Sequence, residues 1–109
     1  MTEAGELIFE WLKDAYPKLG WHVGGHSTKG EHPVERLEAL MPDPLGGTKG
    51  LNIILEIHKM TVTAFIRTRH LSRVRSVELH DPKSVDGLKE LVDHVIKVCT
   101  MPAPFTKYV

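Results

Sequence analysis

Apolar and polar residues alternate through much of Leu51–Leu79. Apolar residues then recur at every third or fourth position as far as Cys99. That change of period predicts strands followed by a helix. Over 51–58, Ile53, Leu55 and Ile57 fall on one face, and Asn52, Ile54, Glu56 and His58 on the other. Residues 61–68 are rich in β-branched side chains, and Val62, Ala64 and Ile66 share a face. His58-Lys59-Met60-Thr61 makes the turn between these strands, although it lacks the glycine or asparagine that a tight hairpin prefers. Arg69-His70-Leu71-Ser72 bends the chain back into a third strand over 73–79. Placing Leu79 beside Val62 and Val77 beside Ala64 would make its apolar face continuous with the second strand.

The closing helix is predicted from about Asp81, with Asp81 as cap and Pro82 at the first helical position. Val85, Leu88, Val92, Val95 and Cys99 form its apolar stripe, widened by Leu91 and Val98. Gly87 weakens that helix by about 1 kcal/mol relative to alanine and marks a close packing contact. A first helix is predicted over 3–16. Thr2 caps it, Glu3 and Glu6 suit the positive end of the helix dipole, and Tyr16-Pro17 stops it. Its stripe is Leu7, Ile8, Trp11, Leu12 and Ala15, with Trp11 read as a core anchor.

Between these elements, residues 20–50 hold seven of the nine glycines and three prolines. Trp21-His22-Val23 reads as a short strand ended by Gly24-Gly25. Pro33 to Met41 reads as a short helix, with Pro33 at its first position and Val34, Leu37, Leu40 and Met41 apolar. Pro42 to Gly47 is a turn-rich loop, and 102–109 an extended tail. The whole reads as one α+β domain spanning 1–109, with a small antiparallel sheet of three main strands and room for a fourth near 21–24. Both long helices pack on one face. The outer face would carry Ile54, Phe65, Thr63, Glu56 and Val74, more apolar than a solvated face requires. Either the 20–50 segment covers it or it is a contact surface, with a homodimer as one arrangement.

Composition narrows the function classes. Fourteen basic and fourteen acidic residues cancel, so no global field draws nucleic acid or an anionic membrane. A 41% hydrophobic content supports a core, and no apolar run approaches the length of a membrane span. The lone Cys99 excludes an internal disulfide, and the acidic N-terminus does not read as a signal peptide. A cytoplasmic setting is therefore expected.

Chemistry concentrates in two places. Arg67, Arg69, Arg73 and Arg75, with His70 among them, flank one bend. Arginine forks match carboxylate and phosphate oxygens, so the cluster is either an anion site or a solvated hairpin end partly paired with Glu78 or Glu56. No aromatic interleaves it, which disfavours single-stranded nucleic acid. His22, His26 and His32 lie in a glycine-rich segment and could hold a metal, but their spacing matches no tight motif. Solvated or capping histidines are the favoured reading, and no cofactor is expected.

Pro42-Asp43, followed by Glu56-Ile57-His58-Lys59 with Glu10 on the first helix, resembles the PD-(D/E)xK nuclease core. The resemblance implies carboxylates on a divalent metal and a lysine beside the attacking water. The spacing departs from that family: Glu-x-x-Lys replaces Glu-x-Lys, so Glu56 and Lys59 face opposite ways on a regular strand. Asp43 also lies between two prolines. Cys99, on the apolar stripe near a helix C-terminus, reads as a small core residue rather than a nucleophile.

The expected function is a small non-enzymatic macromolecule-binding protein of adaptor, immunity or phage-inhibitor type. It would dock on another protein through Phe65, Arg67, Arg69, His70, Arg73 and Arg75. Trp21 is a possible further anchor, although burial under the loop is weighed slightly ahead of exposure. The alternatives are nucleic-acid binding at the Arg67–Arg75 bend and a metal-dependent nuclease or hydrolase.

Overall fold

The structure is a computed structural model that describes residues 2–41, 51–68, 70–81 and 85–100. It contains helix α1 (Glu3–Ala15), a 3-10 turn (Pro17–Leu19), strands β1 (His22–Lys29), β2 (His32–Met41), β3 (Leu51–His58), β4 (Thr61–Arg67) and β5 (Leu71–Glu78), and helix α2 (Asp86–Cys99). The strands form one antiparallel sheet in the order β1-β2-β3-β4-β5, each paired with its neighbour in sequence. The α+β class is as expected, but among the described residues the sheet has five strands rather than three or four.

The two extra strands come from the glycine-rich segment. Pro33–Met41 is not a helix: it is strand β2, bonded to β1 on one side and β3 on the other. Its residues are good helix formers, yet propensity is a weak prior that tertiary pairing overrides. The apolar positions fit a strand equally well. Leu37 and Ala39 face the core beside Leu55 and Ile53, and Val34 faces the other way. Pro33 is tolerated because β2 pairs with β3 only from Val34 onward, so the missing N–H breaks no central ladder. Strand β1 also runs past Gly24-Gly25. A register shift between Val23 and Gly25 makes Gly24 the bulged residue. Gly30, with φ 67°, then supplies the left-handed residue of the turn into β2.

Both helices cover one face. Ile8 and Leu12 of α1 join Leu88, Leu91, Val92, Val95, Val98 and Cys99 of α2 in a single buried cluster with the inward residues of β2, β3 and β4. Thr2 caps α1 as predicted, its hydroxyl accepting the Gly5 N–H at 3.1 Å. Trp11 is less central than its place in the stripe suggests. It is partly buried at the margin and meets Tyr16 edge-on, while Ile8 and Leu12 carry the contact. Tyr16 donates to Asp93, which also accepts from Lys89 at 2.8 Å, so the end of α1 is tied to the middle of α2. These bonds hold the Asp93 carboxyl below its usual range. Burial and the Asp93 contact push the Tyr16 phenol up.

Two local expectations are corrected. Helix α2 begins at Asp86 with Val85 at its cap, so Asp81 does not cap it, and Pro82 lies outside the described residues. The β4–β5 register places Val77 beside Val62 and Arg75 beside Ala64. A bulge between Ala64 and Phe65 turns Val74 to the core side instead of the outer face. The Gly87 expectation holds: a Cβ there would lie 3.1 Å from Val77 Cγ2, so the missing side chain lets α2 approach β5 closely.

Two outcomes follow for the core. Leu55 has no exposed surface and sits on the central strand, so Leu55→Ala should destabilise by about 2–5 kcal/mol in urea denaturation. Cys99 is buried, and burial pushes its thiol up to about 11. A thiol reagent at mildly alkaline pH should therefore label the native protein more than about a hundredfold slower than the denatured chain.

Candidate functional site: the open face of the sheet

No described helix or strand packs on the face opposite the two helices. Strands β1 and β2 widen this face rather than covering it. Its residues are set by register. Arg36, Glu56, Thr63 and Ser76 lie across from one another in one row. Glu38, Ile54, Phe65 and Arg73 form the next, and Leu40, Asn52, Arg67 and Leu71 the third.

Ile54 is 4% exposed, yet it stands apart from the core cluster. Its cover comes from neighbouring long side chains. Arg36, Glu38, Glu56, Phe65, Arg67 and Leu71 ring it, with Gly24, around a shallow pocket of about 180 Å³. Charged side chains can screen an apolar floor with their stems while their heads stay wet. Arg36 Nε lies 3.5 Å from Glu56 Oε2, and Arg67 donates to Glu38 Oε1 at 2.7 Å. The Glu38 carboxylate lies directly over Gly24, where an added Cβ would fall 1.8 Å from Glu38 Oε2. The bulged glycine thus makes room for the acid that holds Arg67.

The arginines expected to cluster at one bend are divided. Arg67 and Arg73 share the open face. The bulge at Val74 sends Arg75 to the helix side, where, after burial, its charge helps hold the His94 imidazole below its usual range. His70 is exposed in the bend, its carbonyl accepting the Thr68 N–H at 3.2 Å. Arg69 lies outside the described residues. Phe65 is half-buried beside Ile54 and Arg73. Trp21 is 6% exposed and belongs to the core, the burial weighed ahead of exposure. Beyond the ring, Leu40 and Leu71 are 59% and 57% exposed.

Among the described residues, the metal-centred alternatives find no assembled site. His22 and His32 stand opposite Glu38 and Lys29, at the two ends of the β1–β2 hairpin. The side chain of His26 is outside the described set. Among the described residues, no three of His, Cys, Asp and Glu group to hold a metal ion. Glu56 faces the open side, while Glu10 is on a helix of the other side, paired with Lys13 at 2.7 Å. Lys59 is in the β3–β4 turn with φ 56°, and Asp43 lies outside the described residues. Among the described residues, Glu10, Glu56 and Lys59 of the nuclease-like set are not brought together.

A helical pattern over 33–41 hides Arg36 and Glu38 as strand residues. Their alternation with Leu37 and Ala39, opposite a strand bearing Glu56, is the signal that finds them. Comparison with known proteins gives no help: no family model, no curated protein and no solved structure matches the chain.

Gly24→Ala should displace the Glu38 carboxylate and release Arg67. A double-mutant cycle with Glu38→Gln and Arg67→Ala, read by urea denaturation, should give a coupling of up to about 1 kcal/mol in the native background. In the Gly24→Ala background that coupling should vanish.

Proposed function

We propose that this chain is a small macromolecule-binding protein, of adaptor, immunity or inhibitor type, that docks the open face of its sheet on another protein in the cytoplasm. The observation that carries the reading is the buried Ile54 and half-buried Phe65 on a face that no described element covers, ringed by Arg36 and Arg67. Protein interfaces favour this composition, with an apolar or aromatic centre and arginine around it. The exposed Leu40 and Leu71 extend the apolar surface toward the β4–β5 bend. Catalysis by Cys99 is disfavoured, since the thiol is buried and hard to ionise. Among the described residues, no helix is long and apolar enough to cross a membrane.

Nucleic-acid binding at the bend loses force on geometry. Arg75 faces away from Arg67 and Arg73, and Glu38 already neutralises Arg67. A phosphate backbone rewards several unpaired cations on one surface.

Capture from a lysate of the source cell, with and without nuclease, separates these readings. Phe65→Glu serves as the face variant, and circular dichroism confirms that it folds. A protein retained after nuclease and lost by more than about tenfold with Phe65→Glu is the expected result. If bound material disappears with nuclease, and affinity falls by about 0.9 log unit per log unit of salt for each neutralised phosphate, the nucleic-acid reading takes its place.

A further inference from the structure

The charges of the open face do not balance locally, and the residue left over indicates what the partner must carry. Arg36 is paired with Glu56 and Arg67 with Glu38. Arg73, in the same row as Ile54 and Phe65, has no ion pair among the described residues. Its guanidinium is nevertheless held. It donates to Ser76 Oγ at 2.8 Å, and that hydroxyl is 2.8 Å from Thr63 Oγ1 on the neighbouring strand. A neutral hydroxyl positions the fork without neutralising it, and Arg73 is exposed. Directly around Arg73 lie the half-buried Phe65 and the exposed Leu71, with the exposed His70 at the bend.

A wholly apolar partner covering this corner would trap Arg73 without a counter-charge, which is costly. A basic partner would be repelled by Arg73. Glu78, the one acid of β5, is paired with Thr61 at the far end of the strand, too distant in register to compensate. The fitting occupant is an anion with apolar flanks.

Resting on the docking reading above, we propose that the β4–β5 corner of the open face binds an acidic, apolar segment of a protein partner. In this arrangement a carboxylate engages the Arg73 fork while neighbouring apolar side chains cover Phe65 and Leu71. Arg73 supplies the charge selectivity and Phe65 the contact area. Arg75, on the opposite side of the sheet, takes no part.

The test is selection from a phage-displayed library of random peptides on the immobilised full chain. The enriched sequences are then synthesised and titrated against variants whose folding is checked by circular dichroism. The proposal expects enriched peptides to carry Asp or Glu beside apolar residues. Their affinity should fall by at least about tenfold in Arg73→Ala and only in part in Arg73→Lys, and should be unchanged in Arg75→Ala. Replacing the peptide carboxylate by its amide should reproduce the Arg73→Ala loss. Peptides that depend on Phe65 but bind Arg73→Ala as well as the native chain would overturn the acidic-partner proposal and leave the docking face standing. Enrichment of peptides indifferent to both residues, or no enrichment, would overturn both.

Discussion

The pairing of β2 with β3 is the contact on which the rest of this structure depends. Strand β3 lies at the centre of the sheet, and Ile53, Leu55 and Ile57 are its contribution to the core. Burying that strand requires hydrogen-bond partners for its backbone on both edges, because an unpaired buried N–H or C=O costs as much as a lost hydrogen bond. Strand β4 satisfies one edge through a tight turn. Only residues 34–41 satisfy the other, from Val34 opposite His58 to Met41 opposite Leu51. That demand outweighs the helical preference of Glu35, Arg36, Leu37, Glu38 and Ala39. It also places Leu37 and Ala39 under the helices.

The same pairing creates the open face. In an alternating strand, every residue committed to the core commits its neighbours to the other side. Arg36 and Glu38 therefore arrive opposite Glu56 and Ile54 as a direct consequence of Leu37 arriving opposite Leu55. The ion pairs that result are partly exposed and contribute little stability individually. Their effect is positional, because they keep Ile54 covered and orient Arg67.

Two bulges then adjust a face that regular alternation would have left uniform. The bulge at Gly24 opens space for the Glu38 carboxylate. The bulge at Val74 inverts the parity of β5. Val74 is drawn toward the core, Arg73 joins Phe65 on the open side, and Arg75 is turned toward α2. A regular strand would carry Arg73 and Arg75 on one face as a matched cationic pair. The irregularity separates them and leaves a single positioned guanidinium, which suits a carboxylate better than a polyanion.

The chain's local chemistry by itself determined α1 with its Thr2 cap, the three strands from Leu51 to Glu78, the apolar stripe of α2 and the close approach at Gly87. In each of these a single period or a single residue type has one physical solution. Phe65 and Arg67 could likewise be read as neighbours on an outer face, since strand alternation alone puts them there. Tertiary structure decided the rest. Residues 33–41 satisfy both a helical and a strand pattern, and the open edge of β3 selected the strand. The bulge at Val74 leaves no mark in local propensity, so the division of the arginines, the side taken by Val74 and the β4–β5 register became definite only when the strands were paired. Arg36 and Glu38 entered the site by the same route, because a side chain on a sheet acquires its neighbours from register, and register is a property of two strands rather than one.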